Sequence, residues 1–266
     1  MLWDSEQYWK KAIRYAEMAS QPEREPWERP FWFSLVLEFF ARACLTKIHP
    51  ALNADPEGDG VNLLYAFGYD LKGQPKSLPI HAVLLRLEKI LPETFTRPRR
   101  AFCDFFSNLR NQEVHTSDVP FESLSETKWL ARYYDVCEVL CTHLGKSLVE
   151  LFGEEARSAA ALIKALRADK VSAVKAKIAA HKKVFEGKPA EEREQVVRQQ
   201  ATLSKGWFAT QTRIKCPACE SCSRLQGFIE RVSKPVYDGD ELLVKNVVLA
   251  NRLVCNACGL VLADID

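Results

Sequence analysis

Two pairs of cysteines constrain what this 266-residue chain can fold into more tightly than any other feature. Cys216-Pro217-Ala218-Cys219 and Cys255-Asn256-Ala257-Cys258 stand 35 residues apart. A Cys-x-x-Cys segment turns sharply enough to aim both thiolates at one point, and Gly259 supplies the backbone freedom that such a turn often needs. Four sulfurs gathered from two such turns suit a tetrahedral soft-ligand ion, zinc before others. Five of the nine cysteines crowd into the last quarter of the chain, a metal-site pattern for a reducing compartment rather than a disulfide scaffold. A redox dithiol is the rival reading, but nothing thioredoxin-like surrounds either pair. Cys222 overlaps the first pair as a second Cys-x-x-Cys. Because Cys216-Pro217 has the commoner knuckle form, Cys222 is left as a spare thiol.

Between the pairs the sequence alternates as strands do, over Gly227–Ser233 and Leu242–Val254, with Asp238-Gly239 as a turn candidate. Residues 206–266 therefore resemble a zinc ribbon. The resemblance implies one structural Zn2+ per chain on Cys216, Cys219, Cys255 and Cys258. With no ligand position open, it implies recognition of a nucleic acid or protein partner rather than catalysis at the metal. So small a segment buries little core unaided, so metal binding is expected to supply its folding energy. Trp207, Phe208 and Phe228 are candidates for the ribbon's core or for stacking on bases.

No apolar run approaches the roughly 20 residues a membrane span needs. The first residues are charged and aromatic rather than basic and then apolar, so a cytoplasmic protein is expected. Charge is uneven. Residues 1–152 carry 18 Lys+Arg against 21 Asp+Glu, a net −3, whereas 153–205 carry 12 against 7, a net +5. Three segments follow: a helical domain over 1–152, a basic helical connector over 153–205 and the ribbon over 206–266. The fold class expected is mainly α with one small β appendage. The connector is Ala- and Lys-rich and thin in aromatics, either a solvent-facing arm or a partner-binding hairpin, with lysines such as Lys164, Lys175 and Lys182 open to phosphate contact.

Within the first segment, Trp3, Trp9, Ala12 and Ala16 mark one face of a helix over Leu2–Ser20. Phe31–Ile48 is apolar almost all round and is expected at the centre of the core. Pro50–Pro79 is a long Gly/Pro/Asn/Asp-rich stretch in which Val61–Tyr69 looks apolar enough to pack back onto the core. A short helix over Pro79–Leu91 and a long one from Ser125 to about Phe152 complete the set. Between them lies Thr96-Arg97-Pro98-Arg99-Arg100, a helix start by its proline. Arginines there oppose the helix dipole, which leaves Arg97, Arg99 and Arg100 as RNA contacts or as ordinary surface charge.

That helix continues to His115. Phe102, Phe105, Phe106 and Leu109 have the spacing of a buried stripe. At about 100° per residue, Arg110 is then expected roughly 90° from the stripe, with Asn111 about 190° and His115 about 230° away. A guanidinium, an amide and an imidazole at one helix end make a candidate site. A second Arg-to-His pair, Arg42 and His49, sits on the apolar helix with Ala43 after the arginine.

Arg110-Asn111 with His115 four residues on, at the end of one core helix and just before the next, resembles the motif of the HEPN superfamily, over residues 1–152. The resemblance implies a small helical domain and metal-independent RNA cleavage by a homodimer in which two motifs share one cleft. It implies catalytic roles for Arg110 and His115, with Asn111 assisting. Other members of the family only bind or scaffold. The alternative expectation is therefore a non-catalytic module of a defence or regulatory complex that holds a nucleotide, RNA or protein.

Overall fold

The computed structural model describes residues 3–21, 23–57, 59–69, 73–203, 211–232, 236–238, 241–243 and 246–263. It is mainly helical, with a small antiparallel sheet near its C-terminal end. The chain divides into two compact units, Met1–Leu166 and Arg167–Asp266. No described helix is long and apolar enough to cross a membrane.

Unit 1 is a helical bundle. Helix α1 (Ser5–Ala19) starts on the Asp4 carboxylate, which accepts from the Gln7 amide at 2.9 Å, and buries Trp9, Ala12, Ala16 and Ala19. Helix α2 (Glu28–Ile48) is the centre, as its all-round apolarity predicts, with Phe33, Val36, Leu37, Phe40, Cys44 and Leu45 buried. It packs against α1, α4 (Ile80–Ile90), α5 (Arg97–His115) and α6 (Glu126–Leu144). Phe33 stacks on Tyr133 with centroids 4.7 Å apart, and the Tyr133 hydroxyl donates to the Phe33 carbonyl at 3.0 Å. Burying side chains of this size contributes about 1.5–3 kcal/mol each.

Two expectations fail here for local reasons. Helix α3 (Val61–Ala66) buries only Asn62 and Ala66, while Val61, Leu63, Leu64, Phe67 and Tyr69 are exposed. The loop is tied by a polar side chain instead. The Asn62 amide donates to the Asp55 and Glu57 carbonyls and its oxygen accepts from the Lys76 amide at 2.7 Å. The helix expected from Ser125 to Phe152 is two. Gly145, at φ +69°, stops α6, and a Ser147/Glu150 capping box starts α7 (Leu148–Phe152).

Helix α8 (Ala156–Glu186) buries Ala159 and Ile163 in the core of unit 1, and its residues beyond Leu166 belong to unit 2. There Val174, Ile178 and Phe185, with Val196 and Val197 of α9 (Ala190–Leu203), pack on the apolar side of the sheet. The connector segment is thus not a wholly solvent-facing arm, because Val174, Ile178 and Phe185 are covered by the sheet, while Val171 and Val184 stay exposed. The sheet runs β1 (Gln211–Lys215), β2 (Cys222–Val232), β5 (Asn246–Val254), β6 (Val261–Ala263), all antiparallel. A second hairpin pairs β3 (Val236–Asp238) with β4 (Glu241–Leu243). Trp207, Phe208 and Gly239, and the side chain of Phe228, lie outside the described residues.

Candidate functional sites

The buried face of α5 is rotated from the one its phenylalanines suggest. Phe102, Cys103, Phe106 and Ser107 are buried, whereas Phe105 is 49% exposed. On a projection at about 100° per residue, that set centres within about 10° of Arg110. Arg110 therefore faces the bundle rather than its flank. Its Nη2 donates to Glu38 Oε2 on α2 at 2.7 Å. The other oxygen of Glu38 takes Arg42 at 2.9 Å, and Arg42 Nη1 donates to Asn53, whose amide reaches the Tyr8 hydroxyl. The arginines of both Arg-to-His pairs thus converge on one carboxylate. The Arg110 side chain keeps 21% exposure, against 8% for Arg42.

Asn111 and His115 are exposed and, at i and i+4, neighbours on the opposite side of α5. His115 is the last helical residue, lying about 140° round from Arg110 and about 7.5 Å further along the axis. The motif therefore diverges within one copy. Of the three arginines at the start of α5, Arg99 binds the buried Asp135 at 2.8 Å and the Thr94 carbonyl at 2.8 Å. Arg100 is clasped by Glu88 and Asp104. These two neutralise carboxylates of their own unit, which answers the question of why cations stand at a helix start. Arg97 alone of the three is exposed, with no ion-pair partner among the described residues.

Four cysteines meet in unit 2. The ligand atoms of Cys216, Cys219, Cys255 and Cys258 all lie within 4.8 Å of one another, with Sγ–Sγ distances of 3.6 Å for Cys216–Cys258 and for Cys219–Cys255. A disulfide needs about 2.05 Å. Four sulfurs about 2.3 Å from a tetrahedral zinc stand about 3.8 Å apart, so this set fits the ion. Cys222 opens β2 and stays outside the group.

The two knuckles are built alike. The Cys216 amide donates to the Ser221 carbonyl and the Cys255 amide to the Leu260 carbonyl, both at 2.9 Å. The residue after each second cysteine is left-handed, Glu220 at φ +58° and Gly259 at φ +72°. Ser221 Oγ lies 2.9 Å from Cys219 Sγ and 3.4 Å from Cys255 Sγ. Burial opposes ionisation of Cys255, but the Ser221 hydroxyl, the Cys258 amide and the neighbouring thiols bring it down to about 7. From α8, His181 Nδ1 sits 2.9 Å from the Cys258 carbonyl. Sequence reading passed over Ser221, His181 and Glu38. For His181 a signal was present, since Val174, Ile178, His181 and Phe185 repeat at helical spacing and place an imidazole inside an apolar stripe.

By contrast Cys44, Cys103, Cys137 and Cys141 of unit 1 are buried, and burial raises every one of these thiols, Cys141 to about 12. They are inert core residues. Comparisons with protein-family models, with curated proteins and with solved structures find no match to this chain.

Proposed function

We propose that the protein is a metal-independent endoribonuclease of HEPN type whose site forms between two copies, joined to a ribbon stabilised by one zinc ion on Cys216, Cys219, Cys255 and Cys258. The observation that carries this reading is the end of α5. An exposed imidazole and amide lie round the helix from an arginine whose guanidinium is steadied on one arm by Glu38 and keeps part of its surface open. His115 of one copy takes the proton of the ribose 2′-hydroxyl as its oxygen bonds to phosphorus. The imidazolium of the second copy returns a proton to the departing 5′-oxygen. Arg110 stabilises charge on the five-coordinate phosphorus, and Asn111 orients His115 or the ribose. The divergence of Arg110 and His115 on one helix is the physical reason for two copies.

The test is cleavage of mixed RNA in excess chelator by the parent, His115→Ala and Arg110→Lys, the last keeping the charge but losing the fork. Cleavage that both variants lose supports the reading. Intact RNA with every substrate rejects it, as does a strictly monomeric active protein.

A second reading, a non-catalytic binder, is favoured by one observation: Arg110 already has a carboxylate partner. It predicts RNA or nucleotide binding without turnover.

A further inference from the structure

The outward face of the four-stranded sheet in unit 2 carries a cluster of cations with no ion-pair partner among the described residues. Arg213 stands directly opposite Arg224 across β1 and β2, and Gln226 stands opposite Arg252 across β2 and β5. Arg252 is therefore the diagonal neighbour of Arg224. Because side chains alternate along a strand, Gln211, Arg213, Lys215, Arg224, Gln226 and Arg252 share this face. The alternate residues Ile214, Leu225 and Leu253 form the apolar side under α8 and α9. Arg213, Lys215 and Arg252 are exposed and Arg224 half-buried. None of the described side chains on this face is acidic.

Like charges directly opposite one another destabilise a sheet. In unit 1 such costs are cancelled, since Arg24, Arg29, Arg42, Arg99, Arg100 and Arg110 each bind a carboxylate. On the sheet no described carboxylate does the same, and an anion from outside would relieve the repulsion. Opposite Cβ atoms lie about 5 Å apart and diagonal ones about 7–8 Å, a row of charge suited to a chain of phosphates rather than to one. Guanidinium groups fork onto phosphate and stack on bases, and the two glutamine amides offer both a donor and an acceptor to base edges. An open sheet face accommodates an unpaired strand, whose backbone tracks the cations while its bases lie against the sheet.

We propose that this face binds a single-stranded polynucleotide through its phosphodiester backbone. The site is separate from α5 and does not depend on the cleavage reading.

The experiment uses the full, zinc-loaded chain carrying His115→Ala, so that any strand stays intact, with labelled single-stranded RNA or DNA of one sequence followed by fluorescence anisotropy. Four phosphate contacts give a log–log salt slope of about −2.8, or about 50-fold weaker binding at 200 mM than at 50 mM salt. Arg213→Gln with Arg224→Gln should halve that slope, leaving about 7-fold weakening over the same range. Zinc content of this variant should match the parent's, and its thermal midpoint should equal or exceed it, because a like-charge pair has been removed. Arg198→Gln, which removes a cation paired with Glu194 on α9, should change neither affinity nor slope. Tighter RNA than DNA binding supports contact to the 2′-hydroxyl, and equal binding supports the backbone contact alone. The proposal is overturned if the parent binds neither strand, if the double variant keeps the parent's affinity and slope, or if polyglutamate competes as well as RNA.

Discussion

Glu38→Gln is the perturbation most telling about unit 1. The carboxylate holds Arg110 with one oxygen and Arg42 with the other, at 2.7 and 2.9 Å. Its own side chain is 16% exposed and that of Arg42 only 8%. The amide keeps the shape but withdraws the charge, so Arg42 is left buried with Asn53 as its remaining described partner, at 3.0 Å. Removing one member of a buried pair costs about 3–5 kcal/mol. The remaining exposure of this network places the expected loss near the lower bound, about 3 kcal/mol. For a unit of this size that is about 6–12 °C in Tm. Arg110→Met should cost less, about 1 kcal/mol, because Glu38 retains Arg42. Five of the six tryptophans lie in unit 1, so urea unfolding followed by tryptophan fluorescence reports on it directly. A Glu38→Gln midpoint indistinguishable from the parent, or an Arg110→Met loss as large as that of Glu38→Gln, would refute the shared-carboxylate account.

Other outcomes are open to simpler assays. Glu220→Gly should stabilise the ribbon and Gly259→Ala should destabilise it, each by about 1 kcal/mol, because both positions are left-handed and only glycine adopts that conformation without strain. Chelator titration monitored by zinc release checks the opposite signs. A Cβ at 259 meets only an ordinary contact with His181 at 3.9 Å, so the effect is backbone strain rather than a clash. In the zinc-loaded protein a thiol reagent should modify Cys222 first, and after chelation four more thiols should react while Cys44, Cys103, Cys137 and Cys141 stay silent until unfolding. Burial holds His143 below the usual histidine range, with the Cys44 carbonyl opposing and Lys47 assisting. Below about pH 6.5 the unfolded chain takes up a proton that the folded one resists, so stability falls as the pH drops through that window. His143→Gln should lessen the fall in urea midpoint between pH 7 and pH 5.5.

The sequence carried the central helix, the extent of α5 and the four-sulfur centre, because these rest on signals that chain neighbours write directly: an all-round apolar run, a proline at a helix start, and paired cysteines. It misplaced the face of α5. Four aromatic or aliphatic residues at stripe spacing outweighed the smaller Cys103 and Ser107, and burial there is decided by residues distant in sequence that pack on the face, Trp129 and Tyr133 of α6 against Phe106 among them. Partners supplied from elsewhere likewise made Arg99 and Arg100 look available for a ligand, since Asp135 and Glu88 lie on other helices and Asp104 one turn further along α5. The connector looked thin in aromatics, and what its residues would pack on was not visible in it: Val174, Ile178 and Phe185 complete a core with the sheet's apolar face. Pairing across distant strands likewise set the Arg213–Arg224–Arg252 cluster, which no local spacing announces.

The most direct test of the nuclease reading is the chemistry of the new RNA ends, read by mass spectrometry after incubation with the parent protein in excess chelator. Attack by the 2′-hydroxyl predicts 2′,3′-cyclic phosphates opposite free 5′-hydroxyls, in the parent and not in His115→Ala. Ends bearing 5′-phosphates, cleavage that needs added metal, or cyclic phosphates that persist without His115 would contradict it.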